Sequence, residues 1–238
     1  MFKLNLNIVH TFFERAMTKA AERRQRLRDA LISAAERTIE THGLSGLKAR
    51  ALAFQVGCAV GAIYNVVTDL DDLIFAVNSR TLAALERDLA AADQVSDAGE
   101  AAAPVDRLVR LGTAYLTFAA AHRVRWRALF EHRLPVGKCL PEQYVEDQSR
   151  LFRYVEEPLG ELQPQLSDER RALVARSLFS AVHGVAMLGL EEKLQALPAE
   201  ILREQVTFIV SAMGRGLVAQ AADSVQSSGS NNLRKRPH

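Results

Sequence analysis

A chain of 238 residues is long enough for one large domain or two modest ones, each with its own core. Hydrophobic residues make up 48% of it, Ala and Leu dominate, and Gly (13) and Pro (7) are sparse, so helices are favoured over strands and an all-α fold is expected. The formal charge of +2 is too small to argue for a nucleic-acid partner from the total, and the two cysteines, Cys58 and Cys139, form no Cys-x-x-Cys pair; no disulfide framework or structural zinc site is indicated, and a reducing cytoplasm is expected.

Residues 1–18 have a single Lys, apolar runs broken by Asn5, Asn7 and His10, and no small-residue cleavage site before Glu14–Arg15, so they are not an export signal. A poorly ordered extension is expected there, with Met17 an alternative start. No uninterrupted apolar run approaches the roughly 18 residues that span a bilayer, and a soluble chain is expected. Between Lys19 and Arg28 stand Lys19, Arg23, Arg24, Arg26 and Arg28 against Glu22 and Asp29, a local positive end. Leu27, Ala30, Leu31, Ala34, Ala35 and Thr38 then repeat at helical spacing, and the helix should stop at His42–Gly43.

A short helix is expected over Leu47 to Phe54, with Ala49, Leu52 and Ala53 inward and Lys48 and Arg50 outward, broken by Gly57. "CAVGAIYNVV" follows, about two turns and too short to be stable unless packed. Spacing puts Val60, Ile63 and Val67 on its buried face and leaves Ala59, Gly61, Ala62, Tyr64 and Asn65 outward. Thr68-Asp69-Leu70-Asp71 resembles a capping box, and Asp69, Asp71 and Asp72 suit the positive end of a helix dipole. Leu70, Leu73, Ile74, Val77, Thr81 and Leu85 carry the stripe of that next helix to about Ala92. Residues 19–92 are therefore expected to form one domain, closed by the linker "DQVSDAGEAAAP".

Three helices, the last two short and joined at a glycine, describe a helix-turn-helix unit. From Arg24 to Val77 the ordered pieces "LISAAERTIETHG", "LKARALAFQVG", "VGAIYNVV" and "DLDDLI" resemble the TetR (tetracycline-repressor-type) transcriptional regulators. The resemblance implies a DNA-binding domain whose recognition helix is the third piece. The residues expected to meet DNA are Arg23, Arg24, Arg26, Lys48, Arg50, Ala59, Val60, Gly61, Ala62, Tyr64, Asn65 and Thr68. Arginines ahead of the first helix suit the phosphate backbone, Tyr64 can donate to a phosphate, and Asn65 can reach a base edge. The alternative is that Tyr64 is a half-buried core residue and the arginines form a solvated face. The chain departs from the family pattern at Lys48 for Thr or Ser, Ala59 for Ser, Val66-Val67 for His-Phe, and Leu70 for Lys, losing phosphate donors at most of these positions.

A second domain is expected over 104–222. "VDRLVRLGTAYLTFAAAHRVRWRALFEH" and "EQYVEDQSRLFRYVEE" are helical, with Pro158, Gly160 and Pro164 ending the latter. Tyr115, Phe118, His122, Trp126, Phe130, Tyr144 and Phe152 either line a pocket for an apolar or aromatic effector or make ordinary helix–helix core. Two long helices close the chain, from about Ser167 to Leu194 and from Pro198 onward. Gly184, Gly189, Gly214 and Gly216 lie inside them, where close helix approach would explain them. By the family resemblance this pair forms the four-helix bundle of a homodimer. "LFSAVHGVAML" resembles the Trp-His-Gly type of C-terminal regulatory domain, with Phe179 in place of Trp; His183 is then a pocket residue beside Met187 or a satisfied core histidine. Residues 223–238 read as a disordered tail whose Arg234, Lys235 and Arg236 are a solvated end or an auxiliary DNA contact.

Phosphate-loop, Gly-x-Ser-x-Gly and His-x-x-x-His patterns do not occur, and adjacent carboxylates such as Glu156–Glu157 point apart on a helix, so no catalytic residue, metal or cofactor is expected. The expected function is a ligand-responsive repressor that binds a palindromic double-stranded operator as a homodimer. Two alternatives are a helical ligand- or partner-binding protein that keeps the fold without operator specificity, and a redox sensor using Cys58, whose simpler role is packing.

Overall fold

In the computed structural model the backbone is described for residues 6–94, 103–192 and 197–233, and side chains for 18–94, 103–192 and 197–220. Among these residues every regular element is helical: α1 Leu6–His42, a single 3-10 turn Leu44–Gly46, α2 Ala49–Val56, α3 Val60–Ile63, α4 Leu70–Asp93, α5 Pro104–Ala121, α6 Arg123–Glu131, α7 Glu142–Leu162, α8 Asp168–Leu190 and α9 Ala199–Leu233. The chain divides into two compact units, Met1–Thr81 with Arg127–Pro141, and Leu82–Trp126 with Glu142–His238. The backbone is helical from Leu6 and up to Leu233, over parts of both ends for which disorder is expected; Arg234, Lys235 and Arg236 lie outside the described residues.

The first unit is a helix-turn-helix core built around Leu31, Ile39, Leu52, Ile63, Leu73 and Val77, all nearly inaccessible. Gly43 closes α1 at φ 67°, its N–H donating to Ile39 O at 2.8 Å. Gly57 closes α2 in the left-handed conformation at φ 73°, where a side chain would be strained. Helix α2 starts at Ala49 rather than Leu47, with Leu47 buried just before it and Lys48 extended at its N-cap. Ala30 is exposed where periodicity puts it inward, and Ile32 and Ile39 are buried in the stripe instead, so the buried face is turned slightly from the expected one.

Helix α4 is capped one residue later than expected. Asp69, not Thr68, accepts from Asp72 N at 3.1 Å, and Asp72 Oδ2 accepts from Thr68 N at 2.8 Å. Asp69 thus caps the Asp72 N–H while the Asp72 carboxylate reaches back past it to the Thr68 N–H, a variant of the capping box shifted by one residue.

The second unit packs the later half of α4 with α5, α7, α8 and α9. Helix α7 does not stop at Pro158 but runs to Leu162, although proline gives up a helical hydrogen bond there; Pro158 and Leu159 are buried, and that packing offsets the loss. Gly189 and Gly214 do mark close approaches. A Cβ at Gly189 would overlap Leu202, and one at Gly214 would lie 3.0 Å from Val105. Helix α8 is long and apolar enough to cross a bilayer by length and composition alone, which a count of unbroken apolar residues misses because Ser177, Ser180 and His183 interrupt the run.

Candidate functional site

Helix α3 is a single turn, and its place depends on what holds it. Ile63 and Val67 are buried beneath it. Val60, expected to be a third anchor, is 38% exposed instead, because the helix begins at Val60 and only its later residues reach the core. From α1, Arg24 Nη2 donates to Asn65 O at 2.9 Å and Arg28 Nη1 to Val66 O at 2.8 Å. These carbonyls lie just beyond the end of α3, where backbone acceptors lack helical partners. Arg28 is not among the residues the sequence points to as DNA contacts, yet it stands four residues after Arg24 on the same face of α1.

The other expected interface residues are distributed as follows. Arg23, Arg26, Lys48, Arg50, Ala59, Gly61, Asn65 and Thr68 are exposed, and Ala62 is half-buried. Tyr64 is 51% exposed, more open than a core tyrosine. Arg26 is 4.0 Å from Glu22, a loose exposed pair worth little. Phe54, on the outer side of α2, is 89% exposed and has no counterpart in the sequence reading.

The start of α4 is also tied to the segment between α6 and α7. Lys138 Nζ donates to Asp69 Oδ2 at 2.5 Å and to Asp71 Oδ2 at 2.7 Å. The Lys138 ammonium holds the Asp69 carboxyl below the usual carboxylate range, and the two aspartates raise the Lys138 pKa in return. His132 Nε2 is 3.2 Å from Asp71 Oδ1, though not aligned as a hydrogen bond, and its ring meets Phe75 edge-on at 5.3 Å. The aspartates thus serve two roles, as helix caps and as partners of a segment some 70 residues away in sequence, where capping alone is the expectation.

In the second unit five of the aromatic residues come together. Trp126 Nε1 donates to Tyr115 Oη at 2.8 Å, and Tyr115 Oη lies 2.7 Å from His183 Nδ1. Indole is a donor only, so the phenol accepts from Trp126 and gives its own proton to His183; Nδ1 is then the bare nitrogen and Nε2 carries the ring hydrogen. Burial pushes the His183 pKa below its ordinary value and the Tyr115 pKa well above its own, so both stay neutral. Phe179 stacks on His183 at 5.5 Å, and Phe152 meets Phe179 edge-on at 5.6 Å. Arg176 lies over Phe152 at 5.6 Å, a neighbour the sequence did not suggest. Trp126 is fully buried and Tyr115 nearly so, while Phe152, Phe179 and His183 are only half-buried.

The remaining pocket candidates are placed elsewhere or on the margin. Phe118 and His122 pair with each other at 4.7 Å. Tyr144 is buried on α7, Met187 is half-buried one turn after His183, and Phe130 is exposed and belongs to the other unit. Elsewhere in the unit, Arg107 forks onto Asp93 at 2.5 and 2.8 Å and reaches Glu161 at 2.9 Å and Glu157 at 3.0 Å, joining the ends of α4 and α7 to α5. Such bidentate geometry is the strong form of an ion pair. Among the described residues no three His, Cys, Asp or Glu side chains come together as a metal site.

Residues 108–213 match the family model described as Tetracyclin repressor-like, C-terminal domain. The C-terminal domain of this chain is therefore similar to that of tetracycline-repressor-like proteins. Solved structures repeat the fold over most of their length. A Rhodococcus sp. RHA1 protein of unknown function is 26% identical at a TM-score of 0.64, over 81% of this chain and 95% of that one. SCO7222, a TetR from Streptomyces coelicolor, is 19% identical at a TM-score of 0.56, over 81% and 97%. PfmR, a TetR family transcriptional regulator from Thermus thermophilus, is 16% identical at a TM-score of 0.52, over 76% and 96%. No curated protein matches the sequence. Both SCO7222 and PfmR are transcriptional regulators.

Proposed function

We propose that this chain is a TetR-type, ligand-responsive repressor that binds a palindromic operator as a homodimer, with residues 19–92 as its DNA-binding domain and 104–222 as its ligand-binding and dimerisation domain. The observation that carries the reading is an outward-facing α3, fastened at its end by Arg24 and Arg28 and flanked by the exposed bases Arg23, Lys48 and Arg50. Phosphate contacts from such flanking bases fix orientation, and a helix presented in this way suits the major groove. Two copies would set their α3 helices about 34 Å apart, the spacing of successive grooves on one side of a duplex.

The half-buried side of Phe152, Phe179 and His183 is where an apolar or aromatic effector would bind, beside Tyr115 and Trp126. An effector acts only if it binds the state that fits DNA poorly better than the state that fits it well.

The test is a salt-titrated binding assay on the DNA upstream of the protein's own gene and on a random duplex, with Tyr64→Ala and Arg50→Ala beside the wild type. A steep salt slope and a preference for the upstream DNA are expected, with Arg50→Ala lowering the slope by about one as one phosphate contact is lost. If neither that DNA nor any sequence selected from a genomic library is preferred over random duplex, the chain is instead a helical ligand- or partner-binding protein.

A further inference from the structure

The outward side of the reading helix carries little that can form a hydrogen bond with a base. Ala59 and Val60 offer only methyl groups and are exposed; Gly61 offers no side chain at all. Nothing in the protein lies within 4 Å of where a Gly61 side chain would begin, so no contact inside the chain calls for glycine there, although it is less favourable in a helix than alanine by about 1 kcal/mol. The polar residues of this stretch, Tyr64 and Asn65, come only after the last residue of α3, and Arg24 holds the Asn65 carbonyl. The flanking Arg23, Lys48 and Arg50 supply charge complementary to a nucleic-acid backbone but stand on other elements.

In the major groove guanine, adenine and cytosine present donors and acceptors, and only thymine adds an apolar group, its 5-methyl. A face of exposed methyls therefore has one base with which it is chemically matched. We propose that α3 reads thymine: Ala59 and Val60 pack against thymine 5-methyl groups, Gly61 permits the close approach, and the half-sites of the operator carry thymine beneath this face. The proposal rests on the operator-binding reading above. It also accounts for the outward position of Val60, which the core leaves 38% exposed.

The experiment selects duplexes from a random pool with the full-length protein, then replaces each selected thymine in turn by deoxyuridine, which removes the methyl and keeps every hydrogen-bonding group. Thymine is expected at one or two positions of each half-site where the exchange weakens binding about fourfold, the worth of one buried methyl. Val60→Ala, a change at an exposed position, should weaken binding to the thymine duplex and shrink the thymine-over-deoxyuridine difference at one position of each half-site, leaving the position under Ala59 unaffected. If a sequence is selected but deoxyuridine binds equally well at every position, thymine reading is overturned and operator binding stands. If no sequence is selected, both fail.

Discussion

Arg24 and Arg28 divide one job between two environments. Both donate to carbonyls beyond α3, but Arg24 is exposed and can turn its other N–H groups to a phosphate, whereas Arg28 is half-buried and committed to Val66. Arg24→Ala should therefore lower the salt slope of operator binding by about one. Arg28→Ala should leave the slope unchanged, reduce the preference for operator over random duplex, and lower unfolding stability by about 1 kcal/mol, the worth of a partly exposed charge-assisted hydrogen bond. Equal slope losses in the two variants would mean that Arg28 contacts DNA directly. At this scale the sequence was legible where spacing and exposure coincide, as at Lys48, Arg50 and Tyr64. Val60 was misread because periodicity assumes a helix that continues, and α3 has a single turn. Lys138 was unreadable, since nothing local links it to aspartates some 70 residues earlier.

At the scale of elements, the glycine stops of α1 and α2 and the apolar stripe of α4 were visible because each is a local signal repeated over several turns. The continuation of α7 through Pro158 was not, because burial of the proline ring overrides the local preference. The convergence of α5, α6 and α8 at Trp126, Tyr115 and His183 could be anticipated as aromatic content but not as a hydrogen-bonded chain. That chain fixes a sign for pH. His183 has a folded pKa below the unfolded value of about 6.5, because burial disfavours its charged form. Below about pH 6.5 the unfolded chain takes up a proton that the native one refuses, so stability is fully present above that pH and is lost as pH falls toward the folded pKa. Thermal melts between pH 7.5 and 5.5, values chosen to span about one unit either side of the unfolded pKa, should show this decline. His183→Gln should flatten it relative to the wild type, whatever its effect on absolute stability. An unchanged pH slope in that variant would assign the decline to other groups.

For the whole molecule, the surface that one chain leaves uncovered is the informative part. Only 28% of the apolar window of α8 is buried within the chain. Leu173, Ser177, Ser180, Gly184 and Leu188 recur every three or four residues, with exposed Leu173 and Leu188 at the two ends. On α9, Ile201, Gln205, Phe208, Ala212 and Gly216 are all exposed at the same kind of spacing, Phe208 at 69%. Gly184 and Gly216 meet nothing within 4 Å, unlike Gly189 and Gly214, so close approach inside the chain explains only two of the four glycines. A second copy packed by the same stripe, as in the proposed homodimer, would explain the other two, since an isologous interface brings each small residue against its equivalent or a near neighbour. Phe208→Glu would bury two carboxylates in such an interface without partners, a cost of several kcal/mol or more. The variant should sediment as a monomer at micromolar concentration and bind a palindromic duplex with the affinity of a single half-site. Val136→Glu, at a fully exposed position between α6 and α7, should remain dimeric. A Phe208→Glu protein that stays a dimer would move the interface away from α8 and α9, and with it the explanation for Gly184 and Gly216.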